Sequence, residues 1–363
     1  NHLTMGCALY FTAQMMWFGL AIAVPLYGND RFEGDSCTLA DGVTNGTCRR
    51  DVECSDLGWR DWEKCSSFGN VAIVCCRDES PNRLPRGFIS KRMCDGFPLV
   101  PDASNRIFNG NRADTYDFPY LGALGYKDGN NENFTCSASL ISREYMLTAA
   151  HCVMTRKKPT FVRLGALNIF NNSDSEDKPV DVGFEKVIIH PNYRASRKIA
   201  LPANDIALLK LNITIDRYKD FLIPACLYTN LTDPAPHINL SIAGWGSNGP
   251  NNLAMSADLM KANVTIVNRE ECYTSLSRVK FYPNRAQGLP SYQLCAIGKN
   301  ATGEITGDTC IGDSGGPLEL AIGRRRYIVG LTSTGKICGT NYPGIYTRVS
   351  HFIDWIESVV WPA

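Results

Sequence analysis

The chain has 363 residues, 44% of them apolar, and its 37 Lys and Arg against 36 Asp and Glu leave a net charge of +1. That length admits two domains and more, while the balanced charge argues against a nucleic-acid or anionic-membrane partner. Fifteen cysteines, with Asn-x-Ser/Thr sequons at Asn45, Asn133, Asn171, Asn212, Asn230, Asn239, Asn263 and Asn300, exclude an ordinary cytosolic enzyme and fit a secreted, disulfide-bonded glycoprotein. Met5 to Val24 is apolar apart from Thr12 and Gln14 and ends in Ala21-Ile22-Ala23. This predicts a signal peptide over residues 1–23, and no membrane contact once it is removed; a retained anchor is the rival reading. Cys7 falls in that leader, so an even fourteen cysteines remain.

Cys37, Cys48, Cys54, Cys65, Cys75 and Cys76 crowd into residues 37–76. A segment this short buries too little apolar surface to fold alone, so disulfides are expected to hold it, in any of fifteen connectivities. From Arg77 to Asn105 the composition turns to Pro, Arg, Ser and Asp, with Pro81, Pro85, Pro98 and Pro101 discouraging regular structure. Residues 77–106 therefore read as a linker, and Cys94 within it needs a partner elsewhere.

Further on, Phe161 to Leu164, Val187 to Ile189, Ile206 to Leu211, Ile238 to Ile242 and Tyr327 to Leu331 are short β-branched and aromatic runs between Gly, Pro and Asn turns, which predicts an all-β fold. Only Ser350 to Val360 reads as a helix, with Phe352, Ile353, Ile356 and Val360 on one face, for packing and not for binding. The runs Arg156-Lys157-Lys158 and Arg324-Arg325-Arg326 read as solvated loop tips.

The stretch Asp308-Thr309-Cys310-Ile311-Gly312-Asp313-Ser314-Gly315-Gly316-Pro317 has the form of a loop that presents a nucleophile. Its glycines free the backbone around Ser314, and a serine hydroxyl needs a general base that is itself oriented by an acid. Of five histidines, His151 in Thr148-Ala149-Ala150-His151-Cys152 is the candidate base, since small neighbours let the ring sit close to backbone. Asp205, in Asn204-Asp205-Ile206-Ala207-Leu208-Leu209, leads into an apolar strand that draws its carboxylate inward, where only a partner makes it tolerable.

These three stretches, in the order His, Asp, Ser, resemble the chymotrypsin/trypsin family of serine proteases, from about Ile107 to the C-terminus. The resemblance implies two six-stranded antiparallel β-barrels over residues 107–363, a C-terminal helix, and a cleft where His151, Asp205 and Ser314 form a catalytic triad. It implies an oxyanion hole at the backbone N–H groups of Gly312 and Ser314. Asp308 falls at the base of the primary specificity pocket, with Ser333, Gly335 and Gly344 in its walls, which implies cleavage after Arg or Lys. Arg106-Ile107-Phe108-Asn109-Gly110 resembles a zymogen's activation junction, with Asn109 where the family usually has Gly; cleavage after Arg106 would free the Ile107 ammonium to pair with Asp313.

The six-cysteine cluster is similar to the clip domain of arthropod immune and developmental proteases, which implies Cys37–Cys75, Cys48–Cys65 and Cys54–Cys76. The same likeness implies Cys94–Cys226 as a tether, and Cys136–Cys152, Cys272–Cys295 and Cys310–Cys338 within the protease domain. Ser137-Ala138 replaces the usual glycine pair, Thr334 the usual Trp or Phe, and Ala166 the glutamate that opens the family's calcium loop. Asp174, Glu176 and Asp177 lie nearby, but without that ligand neither calcium nor another metal is expected, and no cofactor. The implied protein is a secreted, haemolymph clip-domain endopeptidase zymogen acting on a protein substrate in an immune cascade, with melanisation or Toll-ligand processing as output. An upstream trypsin-like protease and serpin inhibitors are the implied partners. A non-catalytic clip-domain cofactor, or a digestive trypsin, is the alternative.

Overall fold

The computed structural model describes residues 35–39, 42, 45–50, 54, 64–68, 71–77, 84–101, 112–129, 131–170, 179–195, 201–215, 222–247, 254–277, 289–300, 302–310, 312–335 and 339–362. The predicted signal peptide, Arg106, Ile107, Asn171, Asp174, Glu176, Asp177 and Cys338 lie outside them.

Near the N-terminus, β1 (Ser36–Thr38), β2 (Asn45–Arg50), β3 (Lys64–Phe68) and β4 (Val71–Arg77) form an antiparallel sheet in the order β1-β2-β4-β3. Its small core is Cys37, Leu39, Cys48, Cys65, Ile73 and Cys75, so half-cystines supply most of what a larger domain would build from aliphatic side chains. Disulfides join Cys37 to Cys75, Cys48 to Cys65 and Cys54 to Cys76.

The linker is not bare coil. Residues Phe88–Asp95 form a helix, α1, whose buried residues are Ser90 and Cys94, and Cys94 is bonded to Cys226. Composition hid it, because Pro85 precedes the helix and Pro98 follows it, outside its hydrogen bonds.

The first barrel comprises β5 (Leu121–Asp128), β6 (Asn131–Leu140), β7 (Tyr145–Thr148), β8 (Phe161–Leu164), β9 (Val180–Ile189) and β10 (Ala207–Leu211), closed in the order β10-β7-β6-β5-β8-β9. Its interior is filled by side chains such as Leu124, Leu140, Met146, Leu147, Leu164 and Leu208, all fully buried. Between β7 and β8 lies one helical turn, α2 (Ala150–Val153).

The second barrel follows β11 (Cys226–Leu227). It uses β12 (Leu240–Gly244), β13 (Met260–Val267), β14 (Gln293–Lys299), β16 (Pro317–Ile322), β17 (Arg325–Thr334) and β18 (Gly344–Arg348), with β15 (Ile305–Gly307) added to β14. Because β18 pairs with both β14 and β17, these six strands close, while β11 joins β17 in parallel as an outrigger. A nine-residue helix, α3 (Arg269–Ser277), which the strand pattern did not predict, carries Cys272 to its bond with Cys295.

The chain ends in a 3₁₀ turn, Val349–Phe352, and α4 (Ile353–Val360), over the span read as a helix. Phe352, Ile353, Ile356 and Val360 are buried against the first barrel's core. The other side of α4 is also packed within the chain: the backbone N–H of Ser90 in α1 donates to Glu357 Oε1 at 2.7 Å, and Arg86 Nε lies 3.5 Å from Asp354. Nor is Arg324-Arg325-Arg326 a solvated tip. Arg324 Nε donates to the carbonyl of Val100 at 2.7 Å, Arg325 to those of Cys94 and Asp95, and Arg326 Nε lies 3.7 Å from Glu319. Arg156, Lys157 and Lys158 are exposed.

Candidate active site

Asp205 sits in a tight turn at the mouth of β10. Asn204 before it has φ 50, a left-handed conformation that Asn tolerates, and its amide donates to the carbonyl of Asn192 at 3.0 Å. The N–H of Ile206 closes the turn on the carbonyl of Asn204 at 2.9 Å. The Asp205 side chain is wholly buried, and its two oxygens accept three hydrogen bonds. Oδ1 takes the backbone N–H of His151 at 2.8 Å; Oδ2 takes His151 Nδ1–H at 2.7 Å and the Ser333 hydroxyl at 2.6 Å. A carboxylate so thoroughly hydrogen-bonded leaves no oxygen of its own unpartnered, and its bond to Nδ1 orients the imidazole. His151, in α2, is partly exposed, and its Nε2 lies 3.7 Å from Sγ of Cys152, whose disulfide to Cys136 pins the turn.

The Ser314 loop is stitched to both barrels. The N–H of Ser137 in β6 donates to the carbonyl of Ser314, and the N–H of Gly315 to that of Thr332 in β17, each at 2.8 Å. Gly315 has φ 73, and a Cβ there would lie 2.3 Å from Thr148 Oγ1 and 2.5 Å from the Ser137 carbonyl, so the approach needs glycine. Gly312, with φ 101, is buried, and the methyl of Met255 occupies the place a Cβ would take, 2.2 Å from it. Among the described residues no hydrogen bond joins the Ser314 hydroxyl to His151, whereas His151 and Asp205 are joined by two.

Beneath the loop, Asp308 and Asp313 line one cavity of about 270 Å³ with Lys261, Thr306, Cys310 and Gly339. Burial pushes the Asp308 carboxyl up to about 6; the N–H groups of Gly339 and Thr309 oppose the rise and the Asp313 charge adds to it. Burial also pushes Asp313 up to about 6, although its oxygens accept the N–H groups of Gly246 at 2.8 Å and Cys310 at 2.9 Å. Both acids are poorly solvated and await positive charge. Gly344 opens β18 with Thr309 Oγ1 only 3.1 Å from where its Cβ would stand, and Gly335, just past β17, is exposed with nothing within 4 Å.

The Trypsin family model matches residues 107–356. Serine protease Hayan of Drosophila melanogaster is 41% identical over 263 residues, which cover 71% of this chain and 39% of Hayan's own length. Phenoloxidase-activating factor 1 of Holotrichia diomphalia is 34% identical over 316 residues, 81% of this chain and 82% of that protein. CLIP domain-containing serine protease C9 of Anopheles gambiae is 36% identical over 339 residues, 90% of this chain and 86% of that protein. The chain is a clip-domain serine protease of the trypsin family.

Some parts of this clip-domain protease's site were not singled out from sequence. Ser333, placed in the pocket wall by resemblance, sends its hydroxyl to Asp205, and the hydroxyl of Thr347 in β18 donates to the Asp205 carbonyl at 2.8 Å. Asn204 and Met255 carried no signal beyond a small polar residue before an aspartate and a methionine far from any motif. The sequon residues Asn45, Asn133, Asn212, Asn230, Asn239, Asn263 and Asn300 are all exposed, as glycan attachment requires. Where the family's calcium loop would open, Ala166 is buried, and the loop is instead held by Arg163. Its guanidinium donates to Asp181 at 2.7 Å, to Glu132 at 3.1 Å and to the Ile169 carbonyl at 2.7 Å. Among the described residues no helix is long and apolar enough to cross a membrane.

The raised pKa of Asp308 has a measurable sign. The folded state holds that proton to about 6, whereas an ordinary aspartate releases it near 3.8, so ionisation of Asp308 removes stability as the pH climbs through that window. Asp308→Asn is therefore expected to stabilise the uncleaved protein relative to wild type at pH 7, by up to about 2 kcal/mol after solvent screening, and to have little effect at pH 3.5. Denaturant unfolding at the two pH values checks this; an equal effect at both would remove the ionised carboxylate from the account.

Proposed function

We propose that this clip-domain protease is a secreted endopeptidase zymogen that is cut after Arg106 and then cleaves a protein substrate after Arg or Lys. The observation that carries the reading is the buried Asp205 holding His151 at 2.8 and 2.7 Å beside the loop of Ser314, above an acidic cavity that contains Asp308.

In the proposed reaction His151 Nε2 takes the Ser314 proton as the hydroxyl attacks the scissile carbonyl, and returns it to the leaving amine; Asp205 keeps the proton on Nδ1 throughout. The N–H groups of Gly312 and Ser314 stabilise the oxyanion, each such donor worth about 3 to 4 kcal/mol of barrier. Asp308 pairs with the substrate's guanidinium or ammonium, and the charge that burial disfavours becomes favourable once paired. The Ile107 ammonium released by cleavage does the same for Asp313, so the new terminus orders the loop that carries Ser314.

The domain plan that supports this reading is a signal peptide over 1–23, a clip domain over 37–76, a linker over 77–106 and a protease domain over 107–363. Cys310 is disulfide-bonded, and its proposed partner Cys338 lies outside the described residues. The relatives' names, Phenoloxidase-activating factor and Melanization protease, point to an immune cascade in haemolymph, with a downstream zymogen or cytokine precursor as substrate. A trypsin-like protease acting upstream and serpin inhibitors complete the proposed set of partners.

Incubating the uncut protein with a trypsin-like protease, sequencing the new N-terminus and assaying Arg-, Lys- and Leu-amide substrates tests the proposal. The expected result is an Ile107 terminus and turnover of the Arg and Lys substrates only. A clean Ile107 terminus with no turnover would instead favour a regulatory cofactor.

A further inference from the structure

Helix α1 is eight residues long, too short to persist in water by its own hydrogen bonds. Its sequence gives it little help: the N-cap is Gly87, no side chain of the helix caps its start, and its first turn has no acid. Both of its ends are completed by side chains far away in the chain. At the N-terminus the Glu357 carboxylate of α4 accepts the Ser90 N–H at 2.7 Å, a third-position amide of the kind an N-cap serves. At the C-terminus the Arg325 guanidinium of β17 takes the carbonyls of Cys94 and Asp95. A negative group thus meets the positive end of the helix and a positive group the negative end.

The flanks are held in the same manner. Before the helix, Arg86 Nη2 donates to the carbonyls of Ser350 at 2.7 Å and His351 at 2.9 Å, and its Nε lies 3.5 Å from Asp354. After it, the Val100 N–H donates to the Arg324 carbonyl at 3.0 Å and Arg324 Nε to the Val100 carbonyl at 2.7 Å, and Val100 is 3% exposed. Each of these polar anchors belongs to α4, to the turn before it, or to the hairpin of β16 and β17, so one face of the protease domain is shaped to receive residues 84–101.

We propose that this face binds residues 84–101 as a ligand independent of the Cys94–Cys226 disulfide, so that the N-terminal piece stays with the protease domain after cleavage even when that bond is absent. The inference rests on the reading that the chain is cut after Arg106. The disulfide then adds permanence to a complex that would form without it.

The test uses the full chain carrying Cys94→Ser and Cys226→Ser. After cleavage, with the Ile107 terminus confirmed by sequencing, the two pieces are expected to co-elute in gel filtration at micromolar concentration. Adding Arg86→Ala and Glu357→Gln is expected to separate them. Separation without those two changes would overturn the proposal. Hydrogen exchange on the uncut protein keeps the inference distinct from the cleavage reading. If no cut occurs at Arg106, the α1 amides are still expected to keep their protection within tenfold in the double serine variant and to lose at least a hundredfold with the two added changes; loss in the double serine variant alone would also overturn it. Should the serine variant fail to fold, Arg86→Ala with Glu357→Gln in the disulfide-bonded chain is expected to lower α1 protection at least tenfold, and unchanged protection would count against the proposal.

Discussion

Asp205→Asn in the cleaved protein is expected to lower kcat on an Arg-amide substrate by about 10⁴-fold, the loss seen when the equivalent aspartate is amidated in other serine proteases. The three hydrogen bonds to its carboxylate explain why so small a change acts so strongly. Asparagine keeps one oxygen and turns the other into an NH₂. Placed toward His151 Nδ1 and Ser333, that NH₂ makes the hydroxyl turn round to accept and forces Nδ1 to accept, which moves the imidazole proton to Nε2, where the ring can no longer take one from Ser314. Flipped, it opposes the backbone N–H of His151. The flipped arrangement sets a buried donor against a donor, which lowers stability by about 1–3 kcal/mol. Measuring kcat at saturating substrate, with an unfolding curve to show that the fold persists, decides the matter; a loss of less than tenfold would take Asp205 out of the mechanism.

Asp308→Asn is expected to lower kcat/KM for an Arg substrate by about 10⁴-fold while changing a Leu substrate little, because a guanidinium brought into that cavity would lose its only proposed charge partner. The same substitution is expected to stabilise the uncut protein at neutral pH, so activity and stability should move in opposite directions at one position. In wild type, where burial holds the carboxyl near 6, KM for the Arg substrate should rise as the pH falls below that value. Paired Arg and Leu assays from pH 5 to 8 provide the check; an Arg preference that survives the substitution would place specificity elsewhere.

Much of this molecule was legible before any coordinates. Phe161 to Leu164 is the strand read from sequence, and Tyr327 to Leu331 lies within the longer β17, because β-branched residues buried on both faces announce themselves. β9 runs from Val180 although only its last residues were legible, since Asp181, Glu185 and Lys186 on an open face blur the alternation. The start of α3 was written in Asn268 and Glu271: the Asn268 side chain accepts the Glu271 N–H at 2.8 Å, a capping pair that strand-seeking passes over. Helix α1 could not have been read at all. What completes its ends, Glu357 and Arg325, stands more than two hundred residues away, and no local pattern carries that information. For the same reason Arg324 to Arg326 looked like surface charge. At the site, the residue types of base, acid and nucleophile were visible, whereas the hydroxyls of Ser333 and Thr347 that hold Asp205 depend on how the second barrel meets the first.

That meeting has a consequence for inheritance. Asp205 belongs to the first barrel yet is gripped by Ser333 and Thr347 of the second, while Ser314 belongs to the second and is tied to Ser137 of the first. Each half keeps custody of something the other needs, so neither could be traded for a relative's copy without its counterpart. A recombinant that mixed halves from two such proteins should fold as two sound cylinders and yet come out mute.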